Sequence, residues 1–501
     1  MTSITIPQHT SDPTVDVVLD TLEKNKQALV FVNSKRSAEK VAEDIAKVLL
    51  KRGIKQNVEL SEDVLHVLSK PTVQCERLSK VVNLGVAFHH AGLTSKQKEL
   101  VEDNFRSGAI KIICCTPTLA AGVDLPAFRS IIRDVKRFST RGYVYIPVLE
   151  YLQMAGRAGR PKYDTEGQSI IITDTEKEAE AVTEKYVNGV PEEITSKLAV
   201  EPVLRTYILS LISSNFVTTR EELVKFFSKT FWAFHFEDMF KLESIIDKMI
   251  MLLKEFEFIT TSGKKSDFVS ADEVENQTIT ATEVGKRVAE LYIDPLTAHN
   301  FIESIKRNKK ANNVFGIIQM ISFTPEMRPL LNIKAKEEEA YTATLVEQED
   351  NIITEKPEVF DFEYDEYLNS IKTATFFGEW MEEKEDDYLL ETFDVRPGET
   401  RAKLDTADWL LYASYELAKL INAREVGKDI NKVRFRLKYG VKEELLILLQ
   451  LKDIGRIRAR KLFNNGVKDL GDIKTADFMK LKQILGEKVA ASVKEQVGEK
   501  Q

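Results

Sequence analysis

The chain has 501 residues, 43% of them hydrophobic, and a formal net charge of −8; at about 150 residues per core this implies three or four domains rather than one. No apolar run approaches the roughly 18–20 residues that cross a bilayer, and the N-terminus lacks the charged-then-apolar build of a signal peptide, so a cytoplasmic protein without a membrane partner is expected. Three cysteines, Cys75 and the adjacent Cys114 and Cys115, fit neither a disulfide framework nor metal-ligand spacing, and with six scattered histidines no metal site is expected.

Residues 15–187 alternate amphipathic, helix-length stretches with short β-branched runs at 28–32, 86–88, 110–115, 130–132 and 169–173. That alternation predicts parallel βαβ units, one α/β domain with both sheet faces covered. Functional residues are then expected in loops at the carboxyl ends of the strands. Four segments answer to this: Phe-Val-Asn-Ser-Lys-Arg at 31–36, Phe-His-His-Ala-Gly-Leu at 88–93, Thr-Pro-Thr-Leu-Ala-Ala-Gly-Val-Asp-Leu-Pro-Ala at 116–127 and Gln-Met-Ala-Gly-Arg-Ala-Gly-Arg-Pro at 153–161. In the third, small residues let backbone amides approach a phosphate or ribose, with threonine hydroxyls and Asp124 adding directional contacts. In the last, a helical turn would set Arg157 and Arg160 on one face, and a planar fork of donors suits phosphate oxygens.

Residues 134–146 alternate polar and apolar side chains around a turn at Arg141 and Gly142, which predicts a hairpin. From 195 to 290 three helical patterns precede strand-like runs at 256–261 and 268–270, separated by a Ser-Gly-Lys-Lys-Ser turn, which suggests a winged helix. Residues 290–435 read as helical, with the clearest helix at 405–420, where Leu410, Ala413 and Leu417 form a buried stripe and Trp409 falls beside it. Within this stretch, 337–394 holds 20 Asp or Glu against three Lys, so it carries −17 and the rest of the chain +9. An acidic surface excursion, solvated or partly disordered, thus masks a basic protein, and nucleic acid becomes a plausible partner. The last unit, 440–501, is helical. Its run at 451–463 reads as a helix-hairpin-helix, and nine Lys or Arg stand against three Asp or Glu over 434–461, centred on Arg456, Arg458 and Arg460.

In this order the segments resemble the second motor lobe of superfamily 2 helicases, specifically the archaeal DNA helicases of the Ski-like group related to the helicase half of DNA polymerase theta. Residues 31–36 look like the family's motif IV, 116–127 like motif V and 153–161 like motif VI, and 281–298 is similar to its junction between winged helix and ratchet domain. The resemblance implies a multidomain α/β plus α protein: a second RecA-like lobe at 1–190, a winged helix at 191–292, a helical ratchet domain at 293–438 with the acidic insertion 337–394, and a helix-hairpin-helix at 439–501. It implies that Arg157 and Arg160 reach the γ-phosphate of ATP, that Gln153 senses it, and that Asp124, Gly122 and Gly156 line the nucleotide. It also places Thr116, Thr118, Asn33, Ser34, Arg36 and His90 on the DNA, has Phe138 or Tyr143 at the tip of a strand-splitting hairpin, and has Arg401 and Trp409 on a ratchet helix. Where the family usually has a glycine, this chain has Asp453, which weakens the expected phosphate grip.

Nowhere do the 501 residues contain Gly-x-x-x-x-Gly-Lys-Ser/Thr, the loop that holds the phosphates of ATP. The expectation is therefore the C-terminal portion of an ATP-dependent, 3′ to 5′ DNA helicase of fork repair. It would be inactive without a first RecA-like lobe that holds most of the ATP and Mg2+. Its partners would be that lobe, single-stranded or forked DNA and replication-fork proteins. Two other readings stay open, an RNA helicase of the same superfamily and a non-catalytic nucleic-acid-binding protein; a scaffold role for the acidic segment has only its charge behind it.

Overall fold

The β-branched runs of the first half become strands β1 (Ala28–Phe31), β2 (Val86–His89), β3 (Ile112–Cys115) and β4 (Arg129–Ile132), every residue of which is buried. An antiparallel pair, β5 (Lys136–Ser139) and β6 (Gly142–Tyr145), follows, then β7 (Gln168–Ile171). Continuous burial is what helices on both faces of a parallel sheet demand, and the sheet is parallel throughout in the order β2-β3-β1-β4-β7. The computed structural model describes residues 5–68, 70–139, 142–159, 164–198, 200–236, 239–262 and 278–498. It divides into two units, Met1–Ile194 with Asp394–Arg401, and Thr195–Phe393 with Ala402–Gln501.

Register fixes where the loops of the first unit open. Phe31 stands opposite both Cys115 and Ile132, and His89 opposite Cys115, so the chain leaves β1 to β4 along one edge. The Lys35–Lys51 helix starts there because the Ser34 hydroxyl accepts from Ser37 N, and it packs on the sheet through Ala38, Val41, Ala42, Ile45, Ala46 and Leu49 at helical spacing. One charge is built into this core. Arg129 is 1% exposed and donates to Asp20 at 2.5 Å, Thr21 Oγ1 at 2.9 Å and Gln168 at 2.8 Å, the partnering a buried guanidinium needs.

In the second unit, helices Glu201–Ser213, Arg220–Phe227 and Met239–Glu255 precede β8 (Ile259–Thr261), whose antiparallel partner is β9 (Ile279–Ala281). The run expected to pair with it, 268–270, and residues 263–266 of the turn before that run lie outside the described residues. A buried ion pair, Arg205 Nη2 to Asp294 Oδ2 at 2.7 Å, ties the first of these helices to Asp294, which caps the Pro295–Arg307 helix.

The acidic segment is not a solvated excursion. Its Tyr364–Met381 helix buries Tyr367, Ile371, Phe376, Phe377 and Trp380, and the Trp380 indole donates to Leu437 O at 2.7 Å. Gly440, at φ +63°, sits so near that a Cβ there would lie 2.5 Å from the Trp380 ring. Lys372, 2% exposed, reaches Glu337 at 2.6 Å and Asn332 O at 3.0 Å. Carboxylates such as Glu363 and Asp365 are exposed. The charge runs along one side of helices whose other side is core, and a net count over the segment averages the two. Residues after 440 gather around Leu445, Leu448, Leu462, Leu481 and Val493. Among the described residues no helix is long and apolar enough to cross a membrane.

Candidate functional site

The chain leaving β3 turns through a short helix, Thr118–Gly122, and comes back extended to Ala127 at the start of β4. Thr116 is buried, its hydroxyl 2.9 Å from that of Thr118, which is exposed. Gly122 and Asp124 are exposed, between Leu119 and Leu125, which anchor the loop in the core. The segment at 153–159 lies against this loop. Gln153 is exposed on the Val148–Ala155 helix, which ends at Gly156, also exposed. Ala158 then bridges Ala127 in parallel, with Ala127 N donating to Arg157 O at 2.9 Å and Gly159 N to Ala127 O at 2.6 Å.

Two expectations change here. This fourth segment does not leave a strand; it follows a helix and pairs with the chain entering β4. Arg157 lies beyond the helix end, so helical i, i+3 spacing does not orient it, and Arg160 falls outside the described residues. What orients Arg157 is the carbonyl of Ala120, which accepts from Nε at 3.0 Å and also from Nη2. A guanidinium has five N–H groups, so three remain for an anion, on a half-buried side chain beside the exposed Gln153 and Gly156. This arrangement fits the phosphate end of a nucleotide. Among the described residues no group of three or more His, Cys, Asp or Glu is placed to hold a metal ion.

At the ends of β1 and β2 the expected nucleic-acid contacts are sorted by burial. Asn33 is exposed, its amide N donating to Asp134 at 3.0 Å and its side chain to Lys136 O at 3.3 Å, and Ser34 serves as the helix cap. Arg36 is exposed but paired with Asp394 at 2.8 Å. His90 is fully buried, stacked on Phe88 with centroids 5.5 Å apart, its Nδ1 accepting from Gly92 N. A ring with no exposed surface cannot meet a strand, so the expectation for His90 is overturned. The hairpin gains. Phe138 and Tyr143 are directly paired, edge to face with centroids 5.6 Å apart, and 75% and 72% exposed. Packed aromatics would be covered; these stand out on β5 and β6. Of the turn, Gly142 has φ +91°, a conformation glycine adopts freely, while Arg141 lies outside the described residues.

In the second unit, Leu410, Ala413 and Leu417 are buried as expected, on a helix that starts earlier, at Pro397. Arg401, near the start of that helix and counted with the first unit, is exposed; Trp409 is half-buried and gives its indole N–H to Leu291 O at 2.9 Å, so its nitrogen edge belongs to the fold. The arginine trio divides. Arg460 is committed to Glu383 and Glu444, the latter at 2.9 Å; burial pushes the Glu383 carboxyl up, but the bonds it accepts from Arg460 and Lys442 N hold it below the usual carboxylate range. Arg456 stacks 4.8 Å over Trp380 and donates to Lys384 O at 2.8 Å. Arg458 is exposed, bonded only through Nη1 to Asp453 O at 2.7 Å. The expected centre therefore shrinks to Arg458, because its neighbours at 456 and 460 brace the unit. Asp453 itself has φ +67°, a left-handed conformation that glycine adopts most freely.

Missed entirely at the level of sequence were Glu39, Arg77 and Arg396, a charge cluster in which Glu39 and Arg396 are buried and Arg77 is half-buried. Arg77 lies 38 residues from Glu39 and Arg396 more than 300 from both, which leaves no local signal.

Two family descriptions match the chain: "Helicase conserved C-terminal domain" over residues 61–162, and "Archaeal helicase, domain 4" over 315–440. Three similar proteins carry the name ATP-dependent DNA helicase Hel308. That of Methanocella arvoryzae is 36% identical over 98% of this chain and 65% of its own length. That of Methanococcus vannielii is 36% identical over 96% and 67%, and that of Pyrococcus horikoshii 38% over 96% and 66%. The chain thus spans about two thirds of the length of the curated relatives it matches.

Proposed function

The chain belongs to the Hel308 family of archaeal superfamily 2 helicases, and from that premise we propose that it works as the second-lobe and accessory part of an ATP-dependent DNA helicase moving 3′ to 5′ on single strands at forks. In this reading residues 1–190 are the second RecA-like lobe, 191–292 a winged helix, 293–438 the ratchet domain and 439–501 a helix-hairpin-helix. The observation that carries it is the Arg157 fork, oriented by Ala120 O with N–H groups to spare beside exposed Gln153. Such a fork suits the charge that develops on a γ-phosphoryl group. Mg2+ and the remaining phosphate contacts fall to a first lobe, since no loop of the phosphate-gripping type occurs in these residues. ATP bound between two lobes draws them together, and its release after hydrolysis lets them part, which steps the strand.

The test is ATP hydrolysis with and without single-stranded DNA, by the chain alone and by the chain joined to a first lobe from a relative. Hydrolysis stimulated by DNA only in the joined protein supports the reading; DNA binding without hydrolysis in either sample overturns it.

Two further outcomes follow from the geometry. Phe138→Ala with Tyr143→Ala is expected to slow duplex unwinding by about 10- to 100-fold, since stacking on an aromatic is worth about 1–3 kcal/mol per base, while single-strand affinity and hydrolysis change little. A gel-based unwinding assay beside a hydrolysis assay checks this. Arg458→Ala is expected to flatten the salt dependence of single-strand affinity by about 0.7 in log–log slope, one phosphate contact. Arg460→Ala leaves that slope unchanged, because its guanidinium is engaged with Glu383 and Glu444. Fluorescence anisotropy over a salt series reads both.

A further inference from the structure

Residues 394–401 are remote in sequence from the β-sheet yet belong to its unit, and the means of attachment is unusually dense in charge. Three side chains of this segment reach the first turn and a half of the Lys35–Lys51 helix: Asp394 to Arg36 at 2.8 Å, Arg396 Nε to Glu39 Oε1 at 2.8 Å, and Glu399 to Lys35. Glu39 is 2% exposed and Arg396 6%. Around that pair, Arg77 Nη1 stands 2.6 Å from Glu39 Oε2 and His90 Nε2 3.2 Å from Oε1. Burial opposes ionisation of Glu39, but His90, Arg396 and Arg77 hold its carboxyl well below the usual range, and burial keeps His90 neutral by lowering its own pKa.

Backbone contact is as close as side-chain contact. Gly398 N donates to Gly92 O at 3.0 Å. A Cβ on Gly398 would lie 2.3 Å from Leu93 O, and one on Gly92 2.3 Å from Arg396 Cδ; both glycines are required by the approach. Residues 90–93 are the loop leaving β2, and Thr116 N donates to His89 O at the base of the neighbouring loop. Arg396 is the residue before the Pro397–Leu420 helix, whose last 19 residues belong to the second unit.

We propose that Asp394, Arg396 and Glu399 form a clasp on the Lys35–Lys51 helix and the 90–93 loop, through which movement of the motor lobe is passed along the Pro397–Leu420 helix. A charged residue buried against three partners is costly to detach, and a helix transmits displacement along its axis as a rigid element. Arg36 and His90, expected at the nucleic acid, are positioning residues of this clasp. The coupling role rests on the function proposed above; the clasp itself does not.

The experiment separates the two. In Arg396→Gln, Glu39 keeps Arg77 and His90, so the fold survives, and Glu399→Gln, at a partly exposed pair, serves as the milder variant. Hydrogen exchange on the full chain is expected to quicken about tenfold or more at amides 398–400 in Arg396→Gln, with β1 to β4 unchanged; equal rates in both proteins overturn the clasp. In the joined motor, base pairs opened per ATP are expected to fall at least about fivefold, while DNA-stimulated hydrolysis stays within about twofold of the unmodified protein. Hydrolysis and unwinding falling in parallel, or an unchanged ratio, overturns the coupling. Absence of DNA-stimulated hydrolysis from the unmodified motor counts against the proposed function instead, and the exchange rates still decide the clasp.

Discussion

Arg157→Ala is expected to lower DNA-stimulated ATP hydrolysis of the joined motor by about 10³-fold or more, the range for removing an arginine that meets a transferring phosphoryl group. The loss belongs in kcat, with KM for ATP little changed, because the charge that the guanidinium meets grows in the transition state. Arg157→Lys is expected to recover little. One ammonium cannot both donate to Ala120 O, as Nε and Nη2 do, and present a planar pair of donors to a phosphate. A structural role is distinguished by melting: removing the side chain leaves the Ala120 carbonyl without its arginine, at a cost of about 1 kcal/mol, far too small to abolish hydrolysis by unfolding. Steady-state kinetics on both variants checks the expectation, and hydrolysis within tenfold of the unmodified protein would sink the finger role.

Much of the first unit was legible because its physics is local. A β-branched run of three to six residues between amphipathic stretches reads as a strand of a covered parallel sheet, and all five predicted runs became strands within two residues, the first four fully buried and β7 partly exposed. The hairpin itself was legible from its alternation, but the exposure of Phe138 and Tyr143 was expected only through the family resemblance, since alternation alone fits packed aromatics as well. The failures share a cause. Arg157 was assigned to a helical turn because glycine-rich spacing says nothing about where a helix stops, and the Ala120 carbonyl that orients it lies 37 residues away in sequence. His90 follows a strand as a surface loop residue would, but it is fully buried, stacked on Phe88 and 3.2 Å from Glu39, 51 residues before it in the chain. Likewise the basic count over 434–461 is correct, yet Glu383 and Trp380 from outside that window take up Arg460 and Arg456. Composition records how much charge a segment has and not which charges are already partnered.

The acidic segment makes the same point as a measurable stability. Phe377→Ala is expected to destabilise the second unit by about 3–5 kcal/mol, the cost of emptying a fully buried phenylalanine site. A segment with net charge −17 reads as unable to bury enough apolar surface to order itself, and on that reading the substitution would be worth no more than about 0.5 kcal/mol. The helix resolves the contradiction by segregation. Tyr367, Ile371, Phe377 and Trp380 are buried while Glu363 and Asp365 remain in water, and the one inward lysine, Lys372, meets Glu337. Denaturant unfolding followed by tryptophan fluorescence checks it, since Trp380 sits on the same helix and Trp232 and Trp409 belong to the same unit. Glu363→Ala is the companion, expected within about 0.5 kcal/mol of the unmodified protein, because its carboxylate gives up no water on folding. A large effect at 377 beside none at 363 means that the segment's negative charge is a surface property of a core element, and a small effect at both would return it to the solvated excursion that its composition suggests.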